Sequence, residues 1–196
     1  MIYAHSQPKN THALQYKICT LGLLLVSILH LPANANTQGS WYDQIKDHLV
    51  SVWDKSDKTD LYLPMVTYHN RSAYSKEKID SFNEHPWGLG IGKSLRDADG
   101  DWDGYYVMTF KDSHNDWEPI AGYGHVKNLI GHADGLNAGL GFTAGFTSRS
   151  DFNYVPIPIV LPIAEVGYDA VTVNATYVPG SKGNGNILFM WSTISF

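Results

Sequence analysis

Three residues of this 196-residue chain carry the groups needed to take a proton off a hydroxyl: His69, Asp112 and Ser113. A serine hydroxyl becomes a useful nucleophile only when a base accepts its proton, and a histidine, with an ordinary pKa of about 6.5, is the usual partner. An aspartate can orient the ring or stabilise the imidazolium. Adjacent residues of a regular strand point to opposite faces, so Asp112 and Ser113 can serve one site only where the backbone turns. Asn115, Asp116 and Pro119 make a turn there plausible. An ordinary polar loop would show the same Lys111-Asp112-Ser113 cluster, so the residues alone leave both readings open.

Other tempting motifs fail on their spacing. Asp99-Gly100-Asp101-Trp102-Asp103-Gly104 imitates the start of a calcium loop, but its twelfth position is Phe110 where a bidentate Glu is needed, and a charged hairpin turn is the better reading. Gly88 to Ser94 ends like a phosphate loop but has Trp87 at the position of its first glycine. The nine histidines show no zinc-type spacing. No metal and no cofactor are expected.

The elements that must position His69, Asp112 and Ser113 read as strands. Candidates are Leu61 to Tyr68, Trp87 to Leu95, Gly104 to Lys111, Glu118 to His125, Leu136 to Thr147, Ile157 to Val166, Ala170 to Val178 and Ile187 to Phe196. Eight is an even number and the smallest usual size of an outer-membrane barrel, and tyrosines and tryptophans near the strand ends suit interfacial girdles. The chain stops on Phe196, a terminal aromatic of the kind that closes bacterial outer-membrane barrels, although a soluble protein ending on an edge strand would read the same. Before the first strand, Trp41, Ile45, Leu49, Val52 and Trp53 recur at helical spacing and predict an amphipathic helix over about 41–53. Such a helix lies on the membrane surface or against the barrel mouth, or else plugs or buttresses a soluble barrel. The expected fold is therefore all-β: an eight-stranded antiparallel transmembrane barrel preceded by a short amphipathic α-helix. If the helix stays on the periplasmic side, odd strands end at the outer surface, and His69, Asp112 and Ser113 fall at one outer rim. The short connection Arg96 to Asp103 and the long one Asn70 to Pro86 then match the usual asymmetry of turns and loops.

The N-terminus supports export. Lys9 and Lys17, an apolar run from Ile18 to Leu31 and Ala33-Asn34-Ala35 form a signal peptide over residues 1–35, cleaved after Ala35. Cys19, the only cysteine, lies inside it, so no disulfide is expected in the remainder. Loss of two lysines and no acids moves the net charge from -5 to -7, which argues against a nucleic-acid partner. Residues 36–196 read as one domain.

Glycine is frequent inside the wall, at Gly88, Gly90, Gly92, Gly122, Gly124, Gly139, Gly141 and Gly145. Glycine weakens a strand and often marks the close approach of something else, and an eight-stranded barrel has room for packed side chains or one small ligand. Ile187, Phe189 and Trp191 give one face of the last strand an oily character, so a single acyl chain would fit. Pro162 and Pro179 flank neighbouring strands and should weaken their pairing locally. A lateral gap for a lipid, or simple strand termini, would follow.

These features together resemble the lipid A palmitoyltransferase family, the outer-membrane PagP-like enzymes, over nearly all of Trp41 to Phe196. The most specific pieces are Asp60-Leu61-Tyr62-Leu63-Pro64 with His69, the run from Ala73-Tyr74 to Pro86-Trp87-Gly88, Phe110-Lys111-Asp112-Ser113 with Trp117 to Gly124, Leu140 to Gly145, and Tyr177 to Gly180 with Gly183 to Asn186. The resemblance implies transfer of an acyl chain, typically palmitate, from a glycerophospholipid to lipid A in the outer membrane, by a monomer among membrane lipids. It implies that His69, Asp112 and Ser113 are the catalytic residues of the outer rim and that Gly124 is the floor of the acyl pocket. Pro162 and Pro179 would border the lateral lipid entrances, and Arg149 would hold a phosphate or shape the outer loops. The chain departs from the family at His114 and His125, where tryptophans are usual, from Val126 to Asn137, and at Ser181 and Lys182. A structural barrel and a phospholipase share many of these features, and acyl transfer to lipid A separates them.

Overall fold

A computed structural model describes residues 40–196. The expected signal peptide, its cleavage site and Cys19 lie outside these residues. The first described element is helix α1 (Trp41–Lys55). Ser40 opens it with a capping box: its Oγ accepts from the Asp43 N–H at 3.3 Å, and its own N–H donates to the Asp43 carboxylate at 3.1 Å. The helix runs two residues beyond the expected Trp53 because the Ser56 N–H still reaches the Val52 carbonyl.

Eight antiparallel strands follow and close into a barrel in sequence order, each paired with its neighbours and the last with the first. They are β1 (Lys58–His69), β2 (Gly88–Arg96), β3 (Trp102–Lys111), β4 (Trp117–Gly131), β5 (Leu136–Thr147), β6 (Ile157–Tyr168), β7 (Val171–Val178) and β8 (Ile187–Ser195). A short helix, α2 (Lys76–Asp80), lies in the long β1–β2 connection. Strand β4 continues six residues past the expected His125, pairing with β5 as far as Gly131 and Asn137 across a bulge after Asn128. Asn128 ties that extension to the β2–β3 turn, since its side chain donates to the Asp99 and Gly131 carbonyls.

The outward face carries Leu89, Ile91, Val107, Leu140, Phe146 and Val166, all exposed. An apolar band of this kind on a closed barrel is what a lipid-facing wall requires, and the architecture fits an outer-membrane β-barrel. No described helix is long and apolar enough to cross a membrane. Helix α1 does not plug the barrel. It leans on the outside of β2 and β3, where the Tyr105 hydroxyl donates to the Leu49 carbonyl at 2.7 Å and Lys93 sits 5.0 Å above the Trp53 ring. Trp41, Tyr42 and Ile45 remain exposed.

The interior is divided along its length. Toward the α1 end it is polar, with Arg96 paired to Glu165 at 2.8 Å and the Asn174 amide donating to Thr172 and Thr193. Toward the His69 end it is apolar, with Phe110, Phe189 and Trp191 stacked in a row, ring centroids 4.7 and 5.7 Å apart. A narrow cavity of about 50 Å³ follows this division, lined by Met108, Ile120, Leu161 and Phe189 in the apolar half. Several wall glycines lie against the backbone of the neighbouring strand, as Gly122, Gly141 and Gly145 do, and others leave room for side chains that fill the lumen. A Cβ on Gly92 would meet Tyr62 at 2.9 Å, and one on Gly124 would meet Trp102 at 2.8 Å.

Two seams in the wall lack a ladder. Strands β6 and β7 pair only from Tyr168/Val171 to Ala164/Ala175, leaving Ile157 to Ile163 without a β7 partner. Strands β1 and β2 pair only up to Tyr62/Gly90, so the upper half of β1 is held by β8 and by the connection after it.

Candidate active site

Strand β1 places His69 at its last position with the ring buried, and a bulge is what turns it inward. Asp60 and Tyr62 point into the lumen, so unbroken alternation would send His69 to the outside. The register against β8 skips Met65, beside Pro64, whose missing N–H suits an interrupted ladder. Beyond the bulge Thr67 and His69 face inward, opposite Phe189 and Ile187.

The partner comes from the turn after β3. Strand β3 ends at Lys111, and the chain reverses through Asp112 to Asp116, closed by the Asp112 N–H to the Asp116 carbonyl at 2.8 Å, with Asn115 at a φ of 65°. This is the turn that the Asp112-Ser113 pair requires, and both residues are buried. Ser113 Oγ lies 2.9 Å from His69 Nε2. Asp112 does something different from bonding the ring. Its Oδ1 accepts the N–H groups of His114 and Asp116, and its Oδ2 is buried without a partner, 3.9 Å from His114 Nδ1.

The carboxylate on the ring is Glu84, which sequence reasoning missed. Its Oε1 lies 3.0 Å from His69 Nδ1 and also accepts the His69 backbone N–H at 3.1 Å. Arg71 grips the same carboxylate with both guanidinium nitrogens. That pairing, with the His69 hydrogen bonds, holds the Glu84 carboxyl well below its ordinary range, at about 2. An ionised carboxylate only accepts, so His69 Nδ1 carries the proton and Nε2 presents its lone pair to the Ser113 hydroxyl. The ring is further fixed by Phe82, stacked at 4.2 Å, and by Tyr74 edge-on at 5.5 Å. Asn83 joins the two halves, its N–H donating to the Ser113 carbonyl at 2.9 Å. No motif spacing marks Glu84; only its place in a connection that returns over the barrel end brings it to His69.

The other expected residues fall at different depths. Gly124 lies inside the wall below the pair, with the Trp102 ring packed on its bare backbone. Pro162 lies beside the unpaired stretch of β6, where the Thr176 hydroxyl donates to its carbonyl at 2.7 Å, and Pro179 follows directly on β7. Arg149, after β5, is met by Asp151 at 3.0 Å and Glu118 at 3.8 Å, which favours a role in shaping the rim loops. Among the described residues no group of His, Cys, Asp and Glu is arranged to hold a metal ion.

A serine and a histidine in hydrogen-bond contact at the mouth of a partly oily closed barrel have the geometry of a membrane-barrel protein able to activate a hydroxyl, as acyl transfer requires. A family model described as "Antimicrobial peptide resistance and lipid A acylation protein PagP" matches residues 48–193. A protein of Pectobacterium parmentieri called lipid A acyltransferase PagP is 50% identical over 153 residues, covering 78% of this chain and 73% of its own length. Proteins of the same name from Citrobacter koseri and Salmonella typhi are each 45% identical over 177 residues, which is 90% of this chain and 95% and 93% of theirs. The chain belongs to the PagP family and is an acyltransferase.

Proposed function

We propose that this protein transfers an acyl chain, palmitate by expectation, from a glycerophospholipid to lipid A in the outer leaflet of the outer membrane, working as a monomer. The observation that carries the reading is the His69–Ser113 hydrogen bond at the mouth of the apolar half of the lumen. His69 Nε2 takes the proton of the attacking hydroxyl as it bonds to the ester carbonyl carbon of the donor. The bond from that carbon to the glycerol oxygen breaks, and His69 returns the proton to the departing lysophospholipid. Ser113 either orients this attack or is itself the first hydroxyl to attack, forming an acyl-serine that the acceptor hydroxyl then opens. Asp112 builds the turn that presents Ser113, its Oδ1 holding the His114 and Asp116 N–H groups.

The acyl chain would enter through the β6–β7 seam bordered by Pro162 and Pro179 and lie beside Met108, Ile120 and Phe189, with Trp102 on Gly124 as its floor. Because the cavity is narrow, occupancy requires the lining to open. Met108, with its flexible thioether chain, and the unpaired stretch of β6 are the parts able to give. Lipid A from outer membranes with and without the protein, compared by mass spectrometry, tests the reading. A gain of one acyl chain that His69→Ala abolishes is expected. Free fatty acid alone would make the protein a hydrolase, and unchanged lipids a structural barrel.

A further inference from the structure

We infer that Glu84, clamped by Arg71, is the positioning carboxylate of the active site, fixing the tautomer and orientation of His69 so that Nε2 receives the proton of the reacting hydroxyl. The inference rests on the acyl-transfer reading above and assigns to Glu84 a part that the sequence suggested for Asp112. Three geometric facts carry it. One oxygen of Glu84 bonds both the ring Nδ1 and the backbone N–H of His69, so ring and main chain are held by a single group. Arg71 donates to both oxygens of Glu84, Nη1 to Oε1 and Nη2 to Oε2, and its guanidinium in turn rests 4.7 Å over the Tyr68 ring, which holds the carboxylate in place. Asp112 has spent its Oδ1 on the turn and makes no hydrogen bond to His69. A Glu at this position therefore does for the imidazole what the acid of a serine–histidine–acid triad does.

Charged and titratable groups reach the ring from two elements. The β1–β2 connection contributes Glu84, Arg71 and Tyr74, and the β3–β4 turn contributes His114. Glu84 is the negative one among them, and Arg71 the permanent positive one. Removing either should move the acid limb of activity, and in opposite directions.

The experiment uses the full-length barrel refolded in detergent, with phospholipid donor and lipid A acceptor, normalised to the heat-modifiable folded fraction. In Glu84→Gln we expect kcat to fall about 10²- to 10⁴-fold, the range lost when a general base is mispositioned, with KM changed by no more than about threefold. Its acid limb should move to lower pH, because the imidazolium loses its anionic neighbour. Glu84→Asp keeps the charge and should leave the limb in place while recovering part of the loss. Arg71→Ala keeps the carboxylate but removes the opposing charge, and its limb should move to higher pH. A Glu84→Gln enzyme with wild-type kcat and an unmoved limb overturns the inference, as does a loss of activity that disappears once it is divided by the amount of folded protein. Should Glu84→Gln not fold, an unmoved limb in Arg71→Ala overturns it. Transfer by His69→Ala at the wild-type rate would sink the reading of the site itself, a result that Glu84 variants alone cannot produce.

Discussion

A side chain placed on Gly124 should shorten the acyl chain the enzyme prefers. The Trp102 ring packs on the bare backbone of Gly104 and Gly124 and borders the cavity on its other side. A Cβ at position 124 would lie 2.8 Å from Trp102 Cζ3, while ordinary contact begins at 3.4 Å, so the ring has to rise by about 0.6 Å. The backbone of Gly104 blocks retreat on one side, which leaves the cavity as the direction of movement. Each methylene displaced from apolar surroundings costs about 0.8 kcal/mol, a factor of about four in selectivity. Gly124→Ala should therefore lower the preference for the longest accepted chain by up to about fourfold. The longer side chain of Gly124→Met should exclude about two methylenes, roughly 1.6 kcal/mol or about fifteenfold. The assay is competition between donors differing by two carbons, read as the ratio of the two acyl products on lipid A. Heat-modifiability provides the folding control, because overpacking a core also costs about 1–3 kcal/mol. A product ratio unchanged in folded Gly124→Met would remove Trp102 and Gly124 from the pocket floor.

His69→Ala and Ser113→Ala should each lower transfer at least a hundredfold, by the size of general base catalysis, while leaving a folded, heat-modifiable barrel; full activity in either would contradict the pair seen at 2.9 Å. Asp112→Asn keeps an Oδ1 acceptor for the His114 and Asp116 N–H groups and should retain more than a tenth of the activity, whereas Asp112→Ala strands two turn donors and should lose most of it; equal losses would show that charge, not the turn, is what Asp112 supplies. The Glu84 carboxyl is lowered from an ordinary 4.5 to about 2, so the unfolded chain binds more protons between those values and stability is lost as pH falls through that window. The contribution above pH 4.5, about 1–2 kcal/mol with solvent screening of this partly exposed ion pair, is the gap expected in denaturant unfolding between the wild type and Glu84→Gln at pH 6, closing by pH 2. A gap that persists at pH 2 would assign the effect to packing.

The barrel was legible because its signals repeat: eight segments with turn clusters between them, and an even strand count that fixes which ends share a rim. That counting alone brought His69 and Ser113 to the same end of the molecule, and the 2.9 Å contact follows from it. Counting by twos from Asp60, however, turns His69 outward, and only the register against β8 reveals the extra residue at Met65. A bulge is a property of two strands together and leaves little trace in one; Pro64 is the local hint, readable only after its partner is known. Glu84 was hidden for a related reason. It lies in a connection whose course is set by contacts to other loops, among them the Gly183 N–H on the Ala73 carbonyl, the Asn70 N–H on Asn186, and the Asn83 N–H on Ser113. Alternation predicts faces within strands, but the rim is where alternation ends. Of the residues around the imidazole, those within or directly after strands were found by topology, and those delivered by the long connection, Arg71, Phe82 and Glu84, were not. A site assembled at the mouth of a barrel therefore divides into a half that follows from strand count and a half that follows only from how the loops bind one another. In this protein it is the second half that decides which way the proton on His69 points.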